Sequence, residues 1–80
     1  MRFNNDTELY KTIGSNIKAY RKQANITQSK LAEEIGISLS YISKIEATEC
    51  DKSFSLSTLN SIANALQVDI EKFFEVKCDD

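Results

Sequence analysis

A single glycine, Gly36, separates two short segments with helical periodicity, and this arrangement restricts the fold more than any other feature of the chain. The segments are residues 28–35 and 39–47, and the residues that precede them, Thr27 and Ser38, are good N-caps. Glycine adopts a positive φ readily, so the chain can turn sharply between the segments. The sequence therefore predicts two short helices joined by a tight turn.

The rest of the chain also favours helices, because it contains no proline and its β-branched residues do not alternate with polar ones. An apolar stripe predicts a first helix at about 7–24, with its N-cap among residues 5–7 and a left-handed stop at Asn25. Further helices are expected at about 56–66 and 70–75, the last capped by Asp69. The expected fold is all-α, with five short helices around one core. The predicted core residues are Leu9, Ile13, Ile17, Tyr20, Ala24, Leu31, Ala32, Ile35, Ile42, Ile45, Leu56, Leu59, Ile62, Ala63 and Leu66.

Length and composition narrow the possible functions. The 80 residues correspond to one domain, with an expected ordered core at about 7–75 and frayed ends. No apolar run approaches the roughly 20 residues of a membrane span, and the start lacks the apolar stretch of a signal peptide, so a cytoplasmic protein is expected. The chain has no histidine and two distant cysteines, Cys50 and Cys78, which are interpreted as free thiols, with a disulfide or a redox switch as the alternative. We therefore expect no metal, no cofactor and no enzymatic activity.

The charged residues are unevenly distributed along the chain. The net charge of −2 is not typical of a nucleic-acid-binding protein. However, residues 1–32 carry six basic and two acidic side chains, whereas residues 33–80 carry four basic and ten acidic ones. The front half is therefore basic and the rear half acidic, although chance variation on a solvated surface is an alternative explanation.

Two helices joined by a short turn that contains glycine form a helix-turn-helix unit, whose second helix enters the major groove of DNA. The groove admits a helix whose outward side chains are short, or long and flexible enough to reach base edges. The predicted outer face of the second helix carries Ser40, Ser43, Lys44 and Ala47, which meet these conditions. The alternative interpretation is an ordinary solvated face.

Four segments of the chain strengthen the first interpretation. They are the pattern I-x3-I-x2-YR at residues 13–21, ITQSKLAEEIGIS at 26–38, YISKIE at 41–46 and LSTLNSIANALQV at 56–68. Together they resemble the Cro and cI-type helix-turn-helix family, often called the XRE family, over residues 13–74. The resemblance implies a compact five-helix, lambda-repressor-like DNA-binding domain with its helix-turn-helix at helices 2 and 3.

The resemblance also implies roles for individual residues. Gln28 is expected to contact a phosphate and a residue of the following helix, and Arg21 and Glu46 are expected to form a structural ion pair. Tyr41 has two alternative expected roles, which are a phosphate contact and packing against the loop. The loop at residues 47–55 departs from the family because it lacks glycine and proline and carries two acids, so its usual backbone contact is in doubt. The other residues expected at DNA are Ser38, Leu39, Ser40, Ser43 and Lys44, with Lys11, Lys18, Lys22 and Lys30 at phosphates.

The implied function is a sequence-specific, double-stranded DNA-binding transcriptional regulator. We expect a repressor that binds a palindromic operator as a homodimer. The alternatives are an antitoxin of a toxin-antitoxin pair and a controller protein of a restriction-modification system. The sequence does not determine whether a toxin or RNA polymerase is a protein partner. The expected dimer interface comprises Val68, Ile70, Phe73, Phe74 and Val76, with Phe54 and Phe3 as further candidates. One of the adjacent residues Phe73 and Phe74 is expected to face the interface, and the alternative is that both pack into the core of the monomer.

Overall fold

The computed structural model of the chain describes residues 2–47 and 54–76. Four α-helices follow one another in this part of the chain: α1 at Asp6–Gln23, α2 at Gln28–Ile35, α3 at Leu39–Glu46 and α4 at Leu56–Leu66. A short 3-10 helix at Ile70–Phe74 follows α4. The all-helical prediction is confirmed, except that the expected fifth α-helix is a single stretch of 3-10 helix.

The helices begin where side chains can accept hydrogen bonds from free backbone N–H groups. Asn5 accepts from the backbone N–H of Glu8 at the start of α1. Thr27 and Ser38 do the same at α2 and α3, as predicted. Asp69 was predicted to cap the last helix, and this is wrong, because its side chain makes no capping hydrogen bond.

The helices α1, α2 and α4 each end within two residues of a residue in the left-handed conformation, whereas Ala47, which follows α3, is extended. Asn25 has φ of 59° and Gly36 has φ of 75°, so both predicted stops are confirmed. Gln67 ends α4 in the same way with φ of 57°, which the sequence pattern did not predict. The α3 helix ends at Glu46, one residue before the predicted end.

One cluster of apolar side chains forms the core, and every helix contributes to it. Phe73, Ile17, Leu31, Ile42 and Ile62 are fully buried in it. The prediction that Leu56 belongs to the core is wrong, since 69% of this residue is exposed at the first position of α4. The predicted core residue Ala24 also lies outside, because α1 has already ended and the residue is exposed.

Gly14 allows α1 to lie directly against α3. A Cβ atom at this position would collide with the backbone carbonyl oxygen of Ile45. Glycine is therefore required here by the close approach of two helices and not by its backbone conformation.

A buried amide attaches the C-terminal segment to α1. The side-chain nitrogen of Asn16 donates hydrogen bonds of 2.7 Å to the backbone carbonyl oxygens of both Phe73 and Glu75. These bonds satisfy the polar side chain within the core and place the ring of Phe73 against Tyr20, with ring centroids 6.0 Å apart.

Candidate nucleic-acid interface

The second helix of the helix-turn-helix unit, α3, has one buried and one exposed face. Ile42, Ile45 and Glu46 are buried against the rest of the domain. The exposed residues of α3 and the turn before it are Ser38, Leu39, Ser40 and Lys44, followed by Ala47 after the helix. The structure therefore places most of the predicted DNA-facing residues on one accessible surface.

An ion pair holds α3 to α1. The guanidinium of Arg21 donates two hydrogen bonds to the carboxylate of Glu46, with Nε–Oε2 of 2.6 Å and Nη2–Oε1 of 3.0 Å. Its third donor, Nη1, reaches the backbone oxygen of Ile26 at 2.7 Å. Both charged residues are more than nine-tenths buried. The predicted pair is thus present as a bidentate contact inside the protein, and it fixes the position of the last turn of α3.

Gln28 extends this network towards the exposed face. Its Nε2 donates to Oε1 of Glu46 at 3.1 Å, and its Oε1 accepts a hydrogen bond of 3.0 Å from the hydroxyl of Ser43. A continuous chain of hydrogen bonds therefore runs from α1 through α3 and α2 to Ser43. The expected contact between Gln28 and a residue of the following helix is observed here.

The interpretation of Ser43 as part of a bare outer face needs correction. Ser43 is half-buried and hydrogen-bonded, and it lies at the border between the buried and exposed faces of α3. Tyr41 is also half-buried. The hydroxyl of Ser38 is already used, since it accepts a hydrogen bond from the backbone N–H of Tyr41.

Four exposed lysines lie on α3 and on the two helices that contact it. Lys18 and Lys22 follow Gly14 at helical intervals of four residues, so they lie next to the line along which α1 contacts α3. Lys30 is exposed on α2, and Lys44 on α3. None of these four lysines forms an ion pair with another residue of the ranges 2–47 and 54–76. The acidic loop residues and the two cysteines lie outside the described residues.

The residues predicted for a dimer interface have different surroundings. Phe73 is fully buried, so the prediction that it contributes to an interface is wrong: its side chain fills the core of its own domain. Val68, Ile70 and Phe74 are half-buried, whereas Val76 is 54% exposed. The further candidate residues Phe3 and Phe54 are half-buried, and the ring of Phe54 meets Tyr10 edge-on at 5.1 Å.

Two residues with structural roles were not predicted from the sequence pattern. Gly14 sets the distance between α1 and α3, and Asn16 anchors the C-terminal segment. A signal existed for each: a glycine inside a predicted helix and an amide between two core isoleucines, Ile13 and Ile17. Among residues 2–47 and 54–76, no helix is long and apolar enough to cross a membrane. That part of the chain also contains no group of three or more potential metal ligands.

Comparison of the chain with known proteins identifies relatives along most of its length. A family model described as helix-turn-helix, HTH_3, matches residues 17–73. The chain is 42% identical over 59 residues to an immunity repressor protein of Bacillus phage phi105. It is also 32% identical over 65 residues to control protein C.SmaI of Serratia marcescens, and 34% identical over 65 residues to the transcriptional regulator SinR of Bacillus subtilis.

These matches cover different shares of the relatives. They include 74% of this chain and 40% of the phage repressor, and 81% of this chain in the other two cases. The corresponding shares are 75% of the control protein and 58% of SinR. The chain thus spans less than half of the phage repressor and about three quarters of the control protein.

Solved structures have the same fold. A crystal structure of SinR in complex with DNA superposes with a TM-score of 0.71 at 33% identity, covering 79% of this chain and 98% of that one. The regulator ClgR of C. glutamicum superposes with a TM-score of 0.76 at 26% identity, covering 82% of both chains. The family model, the relatives and the geometry of α2 and α3 agree, and the chain belongs to the helix-turn-helix family of Cro and cI-type, or XRE-type, regulators.

Proposed function

We propose that this protein is a sequence-specific transcriptional repressor that inserts α3 into the major groove of double-stranded DNA. The observation that carries the proposal is the contrast between the two faces of α3. One face is held to α1 by the buried Arg21–Glu46 pair and to α2 by the hydrogen bond from Gln28 to Glu46. The other face exposes Leu39, Ser40 and Lys44. A rigidly held helix with short or flexible outward side chains suits the groove. The proposal is supported by the similarity of the chain to a phage immunity repressor and to SinR, whose crystal structure was solved in complex with DNA.

The exposed side chains suggest a division of labour at the DNA. Lys44 is long enough to donate to O6 or N7 of guanine, and Ser40 can exchange a hydrogen bond with any base edge. Leu39 is 46% exposed at the start of α3 and offers an apolar contact for a thymine methyl group. These contacts would specify the sequence.

Phosphate contacts would come from the surrounding lysines. Lys18, Lys22 and Lys30 are exposed and lie on the two helices that hold α3. The hydroxyl of Ser38 and the ring of Tyr41 sit at the N-terminus of α3, where a phosphate is favoured by the free backbone N–H groups. Such contacts orient the protein and make its affinity dependent on salt.

We further propose that the protein acts as a homodimer on a palindromic site. A domain of this size covers one half-site, and a dimer doubles the phosphate contacts available to a chain with net charge −2. The proposed interface is the exposed Val76 with the half-buried side chains of Val68, Ile70 and Phe74. The 3-10 helix of this segment packs on α1 and α4, whereas α3 packs on α1 and α2, so an interface here would leave the exposed face of α3 available to DNA.

Selection of bound duplexes from a random library, followed by sequencing, tests the proposal. We expect a motif with two-fold symmetry and half-sites about one helical turn apart. Ser40→Ala or Lys44→Ala should alter the selected motif. Ser61→Ala is the matched control for the serine because Ser61 is an exposed helical residue on α4, and Lys72→Ala is the control for the lysine. Binding without any base preference in the wild-type protein would contradict the proposed function.

A second candidate function is control of a restriction-modification system. It is favoured by the relative C.SmaI, three quarters of which the chain matches. A reporter gene downstream of the selected site separates the two: a repressor lowers expression, whereas an activating controller raises it. Both candidates act on DNA in the cytoplasm, and family membership favours a binding protein over an enzyme.

A further inference from the structure

We propose that Ser43 can act only as a hydrogen-bond acceptor towards DNA, and that it therefore selects a base bearing an exocyclic amino group, either adenine through N6 or cytosine through N4. The inference rests on the proposed insertion of α3 into the major groove. It assigns to Gln28 a positioning role, which is to determine the direction of the Ser43 hydroxyl.

The direction of each hydrogen bond in the network follows from the charge at its inner end. The carboxylate of Glu46 can only accept hydrogen bonds, and it already accepts two from Arg21. The side chain of Gln28 must therefore turn its nitrogen, the donor, towards Glu46 at 3.1 Å. Its carbonyl oxygen then faces Ser43 at 3.0 Å, so the hydroxyl of Ser43 must donate.

A hydroxyl has one hydrogen, and in Ser43 that hydrogen is committed to Gln28. What Ser43 retains for another partner is its oxygen lone pairs. Gln28 is not exhausted in the same way, since its amide keeps a second N–H that is free for the expected phosphate contact. Ser40 differs from both, because it is exposed and forms no side-chain hydrogen bond with another described residue.

Redirecting the hydroxyl of Ser43 would be unfavourable. Turning its hydrogen towards a base would leave the carbonyl oxygen of the half-buried Gln28 without a donor. Turning the Gln28 amide over would place that carbonyl against the Glu46 carboxylate, which is buried and negatively charged. The polarity at the exposed end of the network is therefore set by the ion pair at its buried end.

The bases differ in whether their major-groove edges offer a donor to a side chain that can only accept a hydrogen bond. In the major groove, adenine N6 and cytosine N4 are donors, whereas guanine O6 and N7 and thymine O4 are acceptors. The hydroxyl oxygen of Ser43 would accept a hydrogen bond from an amino group. Opposite guanine or thymine, the same oxygen would face another acceptor atom, and no hydrogen bond would form. Ser40 would tolerate either class, because its hydroxyl is free to rotate.

The test begins with the motif selected by the wild-type protein. The base read by Ser43 is the one whose preference disappears in Ser43→Ala. At that base, adenine is replaced by purine, or cytosine by 2-pyrimidinone, each of which lacks the amino group. We expect wild-type affinity to fall about 2- to 13-fold, the equivalent of one neutral hydrogen bond. The same DNA should give no additional loss with Ser43→Ala, which corrects for the weakened base pair, whereas Ser40→Ala should behave as wild type.

A second variant tests the role of Gln28. Gln28→Met releases the hydrogen of Ser43, so thymine or guanine should become acceptable at that base while the other positions of the motif are unchanged. Wild-type selection of guanine or thymine at the Ser43 position would overturn the inference and leave the proposed function intact. An equal effect of the amino-free base on wild type and Ser43→Ala would also overturn it. Absence of any selected motif would overturn both.

Discussion

Breaking the Arg21–Glu46 pair from one side should destabilise the protein severely, whereas removing both charges should not. Glu46 is 5% exposed, and two of the three side-chain hydrogen bonds that its carboxylate accepts come from Arg21. Arg21→Met leaves this carboxylate buried with Gln28 alone. A buried charge that loses its partner typically costs about 3–5 kcal/mol, out of a total stability of about 5–15 kcal/mol.

The double variant Arg21→Met/Glu46→Leu removes both charges and replaces them with side chains of similar volume. Such replacements of buried pairs are often neutral or stabilising. However, the backbone oxygen of Ile26 and the Gln28 amide would each lose a hydrogen-bond partner in the double variant. Each lost bond should lower its stability by roughly 1 kcal/mol. We therefore expect the double variant to lie within about 2 kcal/mol of wild type and to be clearly more stable than Arg21→Met.

Urea denaturation followed by circular dichroism measures this difference. With a slope of about 1–1.5 kcal/mol/M for a chain of this size, the midpoint for Arg21→Met should fall by roughly 2–5 M. Lys72→Met is the matched control, because it breaks an exposed pair with Glu75 at 3.6 Å and should change stability by about 1 kcal/mol at most. A loss below about 1 kcal/mol in Arg21→Met, or a double variant as unstable as the single one, would refute the reasoning.

Three further outcomes can be measured by the same denaturation assay. Asn16→Ala removes both hydrogen bonds to the C-terminal segment and should cost roughly 2–4 kcal/mol, whereas Asn64→Ala on the exposed side of α4 should change little. Gly14→Ala should destabilise by at least about 1–3 kcal/mol despite the better helix propensity of alanine, because the added methyl group collides with the backbone of α3; a neutral or stabilising result would contradict the close approach. Leu56→Ala should cost about 0.5 kcal/mol or less, but Leu59→Ala about 2–5 kcal/mol, and equal losses would mean that Leu56 is buried after all.

Local structure was predictable because its causes lie within a few residues of one another. Thr27 and Ser38 accept hydrogen bonds from backbone N–H groups only three residues further on. Asn25 and Gly36 end their helices because both residue types adopt a positive φ. Asparagine tolerates this conformation, and glycine has no Cβ atom that would oppose it. These positions placed the helix-turn-helix unit, and with it the exposed residues of α3, from the sequence alone.

Periodicity was less reliable at the ends of helices and between adjacent residues. Leu56 continues the apolar stripe of α4, but it lies in the first turn, beyond the edge of the core, and remains exposed. Phe73 and Phe74 are neighbours with the same chemistry. Which of them fills the core depends on how Asn16 holds the backbone of this segment, and that contact joins residues 57 positions apart.

The helices, the turn at Gly36 and the family to which the chain belongs follow from the amino-acid sequence, because they depend on local side-chain chemistry and short motifs. The state of Ser43 depends instead on contacts between helices, since a helical pattern alone predicts that this residue faces solvent. Its hydroxyl meets Gln28 across 15 sequence positions, and Gln28 is oriented in turn by Glu46 and Arg21. Hydrogen-bond direction is passed along such a chain by contact between helices, and no single helix contains that information.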